Sequence, residues 1–155
     1  MKFGLVIDAL NTRIVEFNRV LAVEHQLSSI DSRSENAYFE NFGLPWEKQN
    51  WPSKEAYGVY VFCCASLGPD LKSVVYVGKS SLQVMGHRMY AHLNPLRKNG
   101  VFQWVYAGAP YALEALIAIP IPVNSPGCLA AALEEYIITK GLNGIEMMNA
   151  TGRRT

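Results

Sequence analysis

The sequence predicts a small α/β domain of the α+β kind, a mainly antiparallel β-sheet flanked by helices, behind a helical and irregular N-terminal extension. Three observations carry this. Two runs rich in β-branched and aromatic residues, YGVYVFCCA at 57–65 and SVVYVG at 73–78, flank the turn-former LGPD and read as a hairpin. Helical patterns follow at 82–93 and 128–140, with further strand-like runs between them. At 155 residues, half of them hydrophobic, the chain is long enough for one packed core and short for two.

In chain order, residues 8–27 place Leu10, Ile14, Phe17 and Leu21 at helical spacing, with Asp8 as an N-cap candidate. SSIDSRSEN at 28–36 is polar and reads as a loop. NFGLPWEKQNWPSKEA, at 41–56, holds two prolines and two tryptophans and is expected to wrap the domain without regular structure. After the hairpin, the helix at 82–93 must stop at Asn94-Pro95, because proline cannot donate into the helical ladder. FQWVYAG and LEALIAIPI read as strands, although the second could instead extend a helix from near Tyr111. CLAAALEEYIITKG follows Pro126-Gly127 as a helix, with Gly141 as its C-cap. The expected division is an extension over 1–55 and a main domain over 56–155.

Several classes are excluded. No apolar run approaches the roughly 20 residues a membrane helix needs, so no membrane partner is expected. The opening MKFGLVIDALN lacks a small-residue cleavage site and reads as part of the fold. Three cysteines, Cys63, Cys64 and Cys128, are an odd count for a disulfide framework. Neighbours in a strand point to opposite faces, so Cys63 and Cys64 would not converge on one metal. They are expected as small buried side chains in a cytoplasmic protein.

Net charge is only +1, yet the charge is sorted along the chain. From Leu71 to Leu113 there are five bases, Lys72, Lys79, Arg88, Arg97 and Lys98, and no acid; the first 55 residues carry eight acids against six bases. Inside the basic stretch, Arg88 and His92 are four apart and share a helical face, while His87 points elsewhere. Lys79 stands just before that helix. Three nitrogen bases converging there would favour an anion and stabilise charge building on a phosphoryl group. Tyr60 and Tyr76 lie on adjacent strands, where pairing can bring both rings to one face. Taken singly, each has a plainer reading, as core tyrosines, a surface arginine or a capping histidine.

Gly58-Val59-Tyr60, then Tyr76-Val77-Gly78-Lys79, then Arg88 on the next helix and Glu134 on a later one, resemble the GIY-YIG nuclease family over residues 57–149. Leu133-Glu134-Glu135-Tyr136-Ile137-Ile138 resembles the family's pattern of an apolar residue, Glu, two variable residues and two apolar ones. The resemblance implies a metal-dependent DNA endonuclease with a GIY-YIG-like sheet. It makes Tyr60 the general base, sets Arg88 on the scissile phosphate, and has Tyr76 and Lys79 position water or phosphate. Glu134 would hold one Mg²⁺ (or Mn²⁺) per active site, and Asn149 would brace the site, with Asn143 as the alternative. His92, four residues after the arginine, is similar to the histidine that partners the first tyrosine in the restriction-endonuclease branch. Two spacings depart from the family: Gly78 to Arg88 is slightly long, and Asn149 lies fifteen residues after Glu134 rather than about twelve.

The chemistry of these residue types agrees with that assignment. A phenol with a pKa near 10 is a weak base until a neighbouring cation favours its phenolate or a neutral histidine takes its proton. Such base catalysis contributes about 10²–10⁴-fold. One magnesium needs only one or two carboxylates, and Glu135, about 100° from Glu134 around the helix, is expected to face solvent. The partner the resemblance implies is double-stranded DNA, and the expected enzyme is a compact restriction-type one that cuts site-specifically, with recognition from loops and the first 55 residues. Trp46, Gln49, Asn50, Trp51 and Lys54 are candidates for that contact, or else simple wrapping. Cutting both strands would take two subunits or two visits, so a homodimer through the 8–27 helix is possible. The alternatives are a catalytically inactive DNA-binding module of the same fold, a non-specific or repair-type small nuclease, and a protein-interaction domain.

Overall fold

The computed structural model describes residues 2–41 and 45–149. They form three helices, α1 (Gly4–Asn18), α2 (Met85–Leu93) and α3 (Cys128–Lys140). Seven strands accompany them: β1 (Tyr38–Glu40), β2 (Gly58–Ser66), β3 (Ser73–Ser80), β4 (Arg97–Lys98), β5 (Val101–Tyr106), β6 (Ala109–Pro120) and β7 (Glu146–Met147). The strands make one mixed, mostly antiparallel sheet in the order β4-β5-β6-β2-β3-β7. β1 also pairs with β6, at residues 115–117, beyond the stretch where β5 pairs with it. β7 joins β3 in parallel. No described helix is long and apolar enough to cross a membrane.

Alternation along β2 decides the layering, since successive side chains leave a strand on opposite faces. Val59, Val61 and Cys63 enter a core shared with α1 and α3. Tyr60, Phe62 and Cys64 enter a second core, closed by Met85, Met89 and Leu93 of α2. Cys63 and Cys64 are thus buried on opposite faces, as their adjacency requires; Cys128 is exposed instead, because it opens α3 at the surface. The hairpin forms as expected, with Tyr60 opposite Gly78 and Phe62 opposite Tyr76. LEALIAIPI is strand, not helix, and extends back to Ala109 as one twelve-residue β6.

The first helix differs from its expected span of 8–27. It runs from Gly4 to Asn18, with Phe3 at the N-cap, and Asp8 lies inside it. Asparagine side chains explain the early stop. Asn18 Nδ2 donates to the Leu27 carbonyl at 2.9 Å, and its Oδ1 accepts the Leu27 N–H at 2.8 Å. Asn11, two turns earlier on the same helix face, makes the same pair with Ile30 at 3.1 and 2.7 Å. The chain therefore doubles back along α1 and buries Leu27 and Ile30.

Residues of the expected extension are built into the domain. Val6, Ile7, Leu10, Ile14 and Phe17 of α1 sit in the same core as the sheet, and β1 is one of its strands. The apolar face of α1, considered for dimer formation, is spent on its own domain. Tyr136 donates to Glu16, and Arg13 Nε donates to the Gly141 carbonyl at 2.8 Å, tying α1 to α3 and its C-terminal end. The proline- and tryptophan-rich segment is irregular apart from a single 3₁₀ turn at Trp46–Lys48, with residues 42–44 outside the described ones.

Candidate active site

Tyr60 and Tyr76 share the α2 face of the sheet. The Tyr60 ring is 1% exposed and lies across its cross-strand partner Gly78. A Cβ at residue 78 would stand 2.4 Å from ring atoms Cε2 and Cζ and 2.5 Å from the phenol oxygen. Gly78 is needed here for close approach: any side chain would occupy the volume of the ring. Tyr60 and Phe62 pack with centroids 5.0 Å apart, and Tyr76 stacks on Phe62 at 5.8 Å.

α2 supplies the cations because its apolar stripe is narrow. Met85, Met89 and Leu93 face the core, which turns Arg88 and His92 toward the tyrosines. The Arg88 guanidinium is near enough to the Tyr60 phenol to favour its charged form. The His92 ring packs edge-on against Tyr76 at 4.6 Å and Phe62 at 5.2 Å. The phenol that this imidazole meets directly is that of Tyr76, whereas the family resemblance pairs it with the first tyrosine.

These positions perturb both titrating groups. Burial pushes the Tyr60 phenol up to about 12; Tyr76 and Glu134 push the same way, and Arg88 opposes them. Burial lowers the His92 pKa, and the Arg88 charge lowers it further, so the imidazole is neutral at pH 7.

Lys79 is the penultimate residue of β3, the strand that carries Tyr76. With Arg88 it lines a cleft of about 240 Å³, completed by the Ser80–Gln83 turn. Ser80 closes that turn by donating its hydroxyl to the Gln83 carbonyl. The start of α3 rests against the same turn, where a Cβ on Gly127 would come within 3.0 Å of the Ser81 carbonyl. Further along α3, Leu133 and Ile137 face the core and Glu134 is 9% exposed. α3 packs on the sheet face opposite α2, yet the Glu134 carboxylate is close enough to raise the Tyr60 pKa. Glu135 is exposed, as its position around the helix requires.

Among the described residues, Ser80 and Glu134 are the buried polar or charged side chains. A buried carboxylate is costly unless it is paired or coordinates something. No group of three or more His, Cys, Asp or Glu among the described residues is arranged to hold a metal. A magnesium that keeps several waters needs only one or two carboxylates.

Asn149 sits at the open edge of β3. Its Oδ1 accepts the Val77 N–H at 2.7 Å and its Nδ2 donates to the Val77 carbonyl at 2.7 Å, imitating one residue of a paired strand. This braces the backbone between Tyr76 and Gly78. The alternative, Asn143, is exposed and lines a groove against α1 instead. Phe62 and Ser80 escaped the sequence reading. Phe62 alternates with Tyr60 on the hairpin, a signal that could have placed it; Ser80 has a role only once the turn closes. Trp46, a candidate for DNA contact, is 2% exposed and packs against Trp51 and Phe102. No family model, no curated protein and no solved structure matches this chain.

Proposed function

We propose that this chain is a metal-dependent DNA endonuclease of the GIY-YIG type, cutting double-stranded DNA site-specifically in the manner of a restriction enzyme. The observation that carries the proposal is the Tyr60 ring, buried across Gly78 on the face that α2 covers, with the Arg88 charge favouring its phenolate and the Glu134 charge opposing it. A structural tyrosine of the core has no use for a guanidinium and a buried carboxylate together.

In this reading the scissile phosphate enters the cleft lined by Lys79 and Arg88. Arg88 binds it through a planar fork of donors, and Lys79 adds a point charge. Tyr60 accepts the proton of the attacking water. With a pKa about 12, roughly one phenol in 10⁵ is ionised at pH 7, so the phenol must lose its own proton as it gains the water's. The neutral His92 packs on Tyr76 and not on Tyr60, so in this reading it takes that proton through Tyr76 or an intervening water. Glu134 fits a Mg²⁺ or Mn²⁺ that takes its other positions from water and phosphate oxygens. When bound, that ion would withdraw charge from the phosphate and acidify water. Asn149 and Gly78 hold the backbone and leave room for the ring.

The test is incubation of the purified chain with plasmid and phage DNA in Mg²⁺ and in chelator. Discrete metal-dependent fragments are expected. Glu134→Ala should abolish cutting while retaining DNA binding, and Tyr60→Phe should lower the rate at least about 10²-fold. DNA left intact by the wild type in Mg²⁺ overturns the proposal. Normal cutting by either variant overturns that residue's role.

A further inference from the structure

On the opposite flank of α2 from Arg88 lies a second groove, of about 310 Å³, lined by Gln49, Trp51, Lys54, Glu55, His87 and Tyr90 among others. It is a built feature. Residues of the 41–56 segment cap the helix: the Met85 and Gly86 N–H groups donate to the Ala56 and Lys54 carbonyls at 2.8 and 2.9 Å. Gly86 is required for that contact, since a Cβ there would stand 2.8 Å from Lys54 Cβ and 3.0 Å from its carbonyl oxygen. The floor is fixed by Trp51, whose indole N–H donates to the Trp46 carbonyl at 3.0 Å. Tyr90 packs on Trp51 with centroids 6.3 Å apart and remains 49% exposed, so part of its ring faces water.

The chemistry of this lining suits a flat heteroaromatic ring. One lysine and one glutamate leave the groove without the net positive charge a phosphate would need. Gln49, Glu55 and His87 offer both donors and acceptors, as a base edge demands. The exposed aromatic face gives a stacking surface, and stacking needs a ring whose face is uncovered, hence a base out of its duplex. The path between the two sites is also compatible with a nucleic-acid strand. Arg88 and Tyr90 lie two residues apart, about 200° around the helix, and a helix with side chains is about 10–12 Å wide. That is roughly three base steps of 3.4 Å. The α2 sequence MGHRMYAHL contains no acid to repel the backbone on the way.

We propose that this groove is a nucleobase subsite, in which an unpaired base of the bound DNA strand stacks on the exposed face of Tyr90 and is read at its edge by Gln49 and Glu55. The inference rests on the nuclease reading above, because the strand is anchored through its phosphate at Arg88. It also divides the tryptophans of the segment: Trp46 is core, and Trp51 supports the stacking residue.

The test measures binding of the full chain, without divalent metal, to two fluorescein-labelled single strands of equal length. One carries normal bases and the other only abasic residues. The wild type is expected to prefer the base-bearing strand. Tyr90→Ala should weaken that complex about 5- to 150-fold and leave the abasic complex unchanged, while Tyr90→Phe keeps the preference. Arg88→Ala should weaken both complexes alike. Thermal melting of Tyr90→Ala near the wild-type temperature is expected, since the side chain is half exposed. Tyr90→Ala binding both strands as the wild type does, with Arg88→Ala still weakened, overturns the subsite and leaves the nuclease reading standing. Loss of the preference in Tyr90→Phe overturns stacking as its cause. Failure of the wild type to bind either strand overturns the subsite, while the nuclease reading stands or falls on the cutting of duplex DNA.

Discussion

Replacing Gly78 by alanine tests the geometry on which the site depends. The added methyl would lie 2.4 Å from two Tyr60 ring atoms, well inside contact distance. The ring is buried between Gly78, Phe62 and α2, so it cannot swing aside without disturbing Arg88 or the core. Overpacking of this kind costs about 1–3 kcal/mol. In a chain of this size each kcal/mol shifts the melting temperature by about 2–4 °C, giving a fall of roughly 2–12 °C. Alanine is otherwise no worse than glycine in a strand, so the cost should come from the ring alone. A double-mutant cycle separates the two. Tyr60→Ala has its own cost of about 3–5 kcal/mol, but on that background Gly78→Ala should be neutral or slightly stabilising. Denaturant unfolding of the four proteins gives the coupling directly, expected at about 1–3 kcal/mol. Additivity within about 0.5 kcal/mol would refute the claim that Tyr60 lies over Gly78.

Three further predictions follow from the same site. The Tyr60 phenol has a folded pKa above its ordinary value, so its contribution to stability is intact below pH 10 and is lost as pH rises toward 12. Tyr60→Phe should flatten that alkaline loss, worth about 2–3 kcal/mol at two units of displacement; equal alkaline profiles would reject it. For His92 the sign is opposite: a lowered folded pKa means stability is present above about pH 6.5 and falls as the pH drops below it, because the unfolded chain takes up the proton more readily. His92→Gln should remove that acid dependence. Asn149→Ala leaves the Val77 N–H and carbonyl without their amide partner, at a cost of about 1–3 kcal/mol. Hydrogen exchange at Val77 should then quicken by an order of magnitude or more, and unchanged protection would show that the clamp does not hold the edge.

The sequence alone determined the local elements whose signals are local. The hairpin followed from two β-branched runs around LGPD, α3 from its apolar spacing and Gly141, and the end of α2 from Asn94-Pro95. It also put Arg88 and His92 on one helical face, and Tyr60 and Tyr76 on one face of the sheet, because periodicity fixes which neighbours point together. Three things needed the tertiary structure. The stop of α1 at Asn18 depends on an amide reaching Leu27, nine residues on, and no helix-end rule registers that. The short strands β1, β4 and β7 exist only because β6, β5 and β3 offer open edges to pair with. The bearing of Glu134 on Tyr60 joins residues 74 positions apart, on helix and strand from opposite sides of the sheet, so only the packing of α3 beneath β3 could decide it.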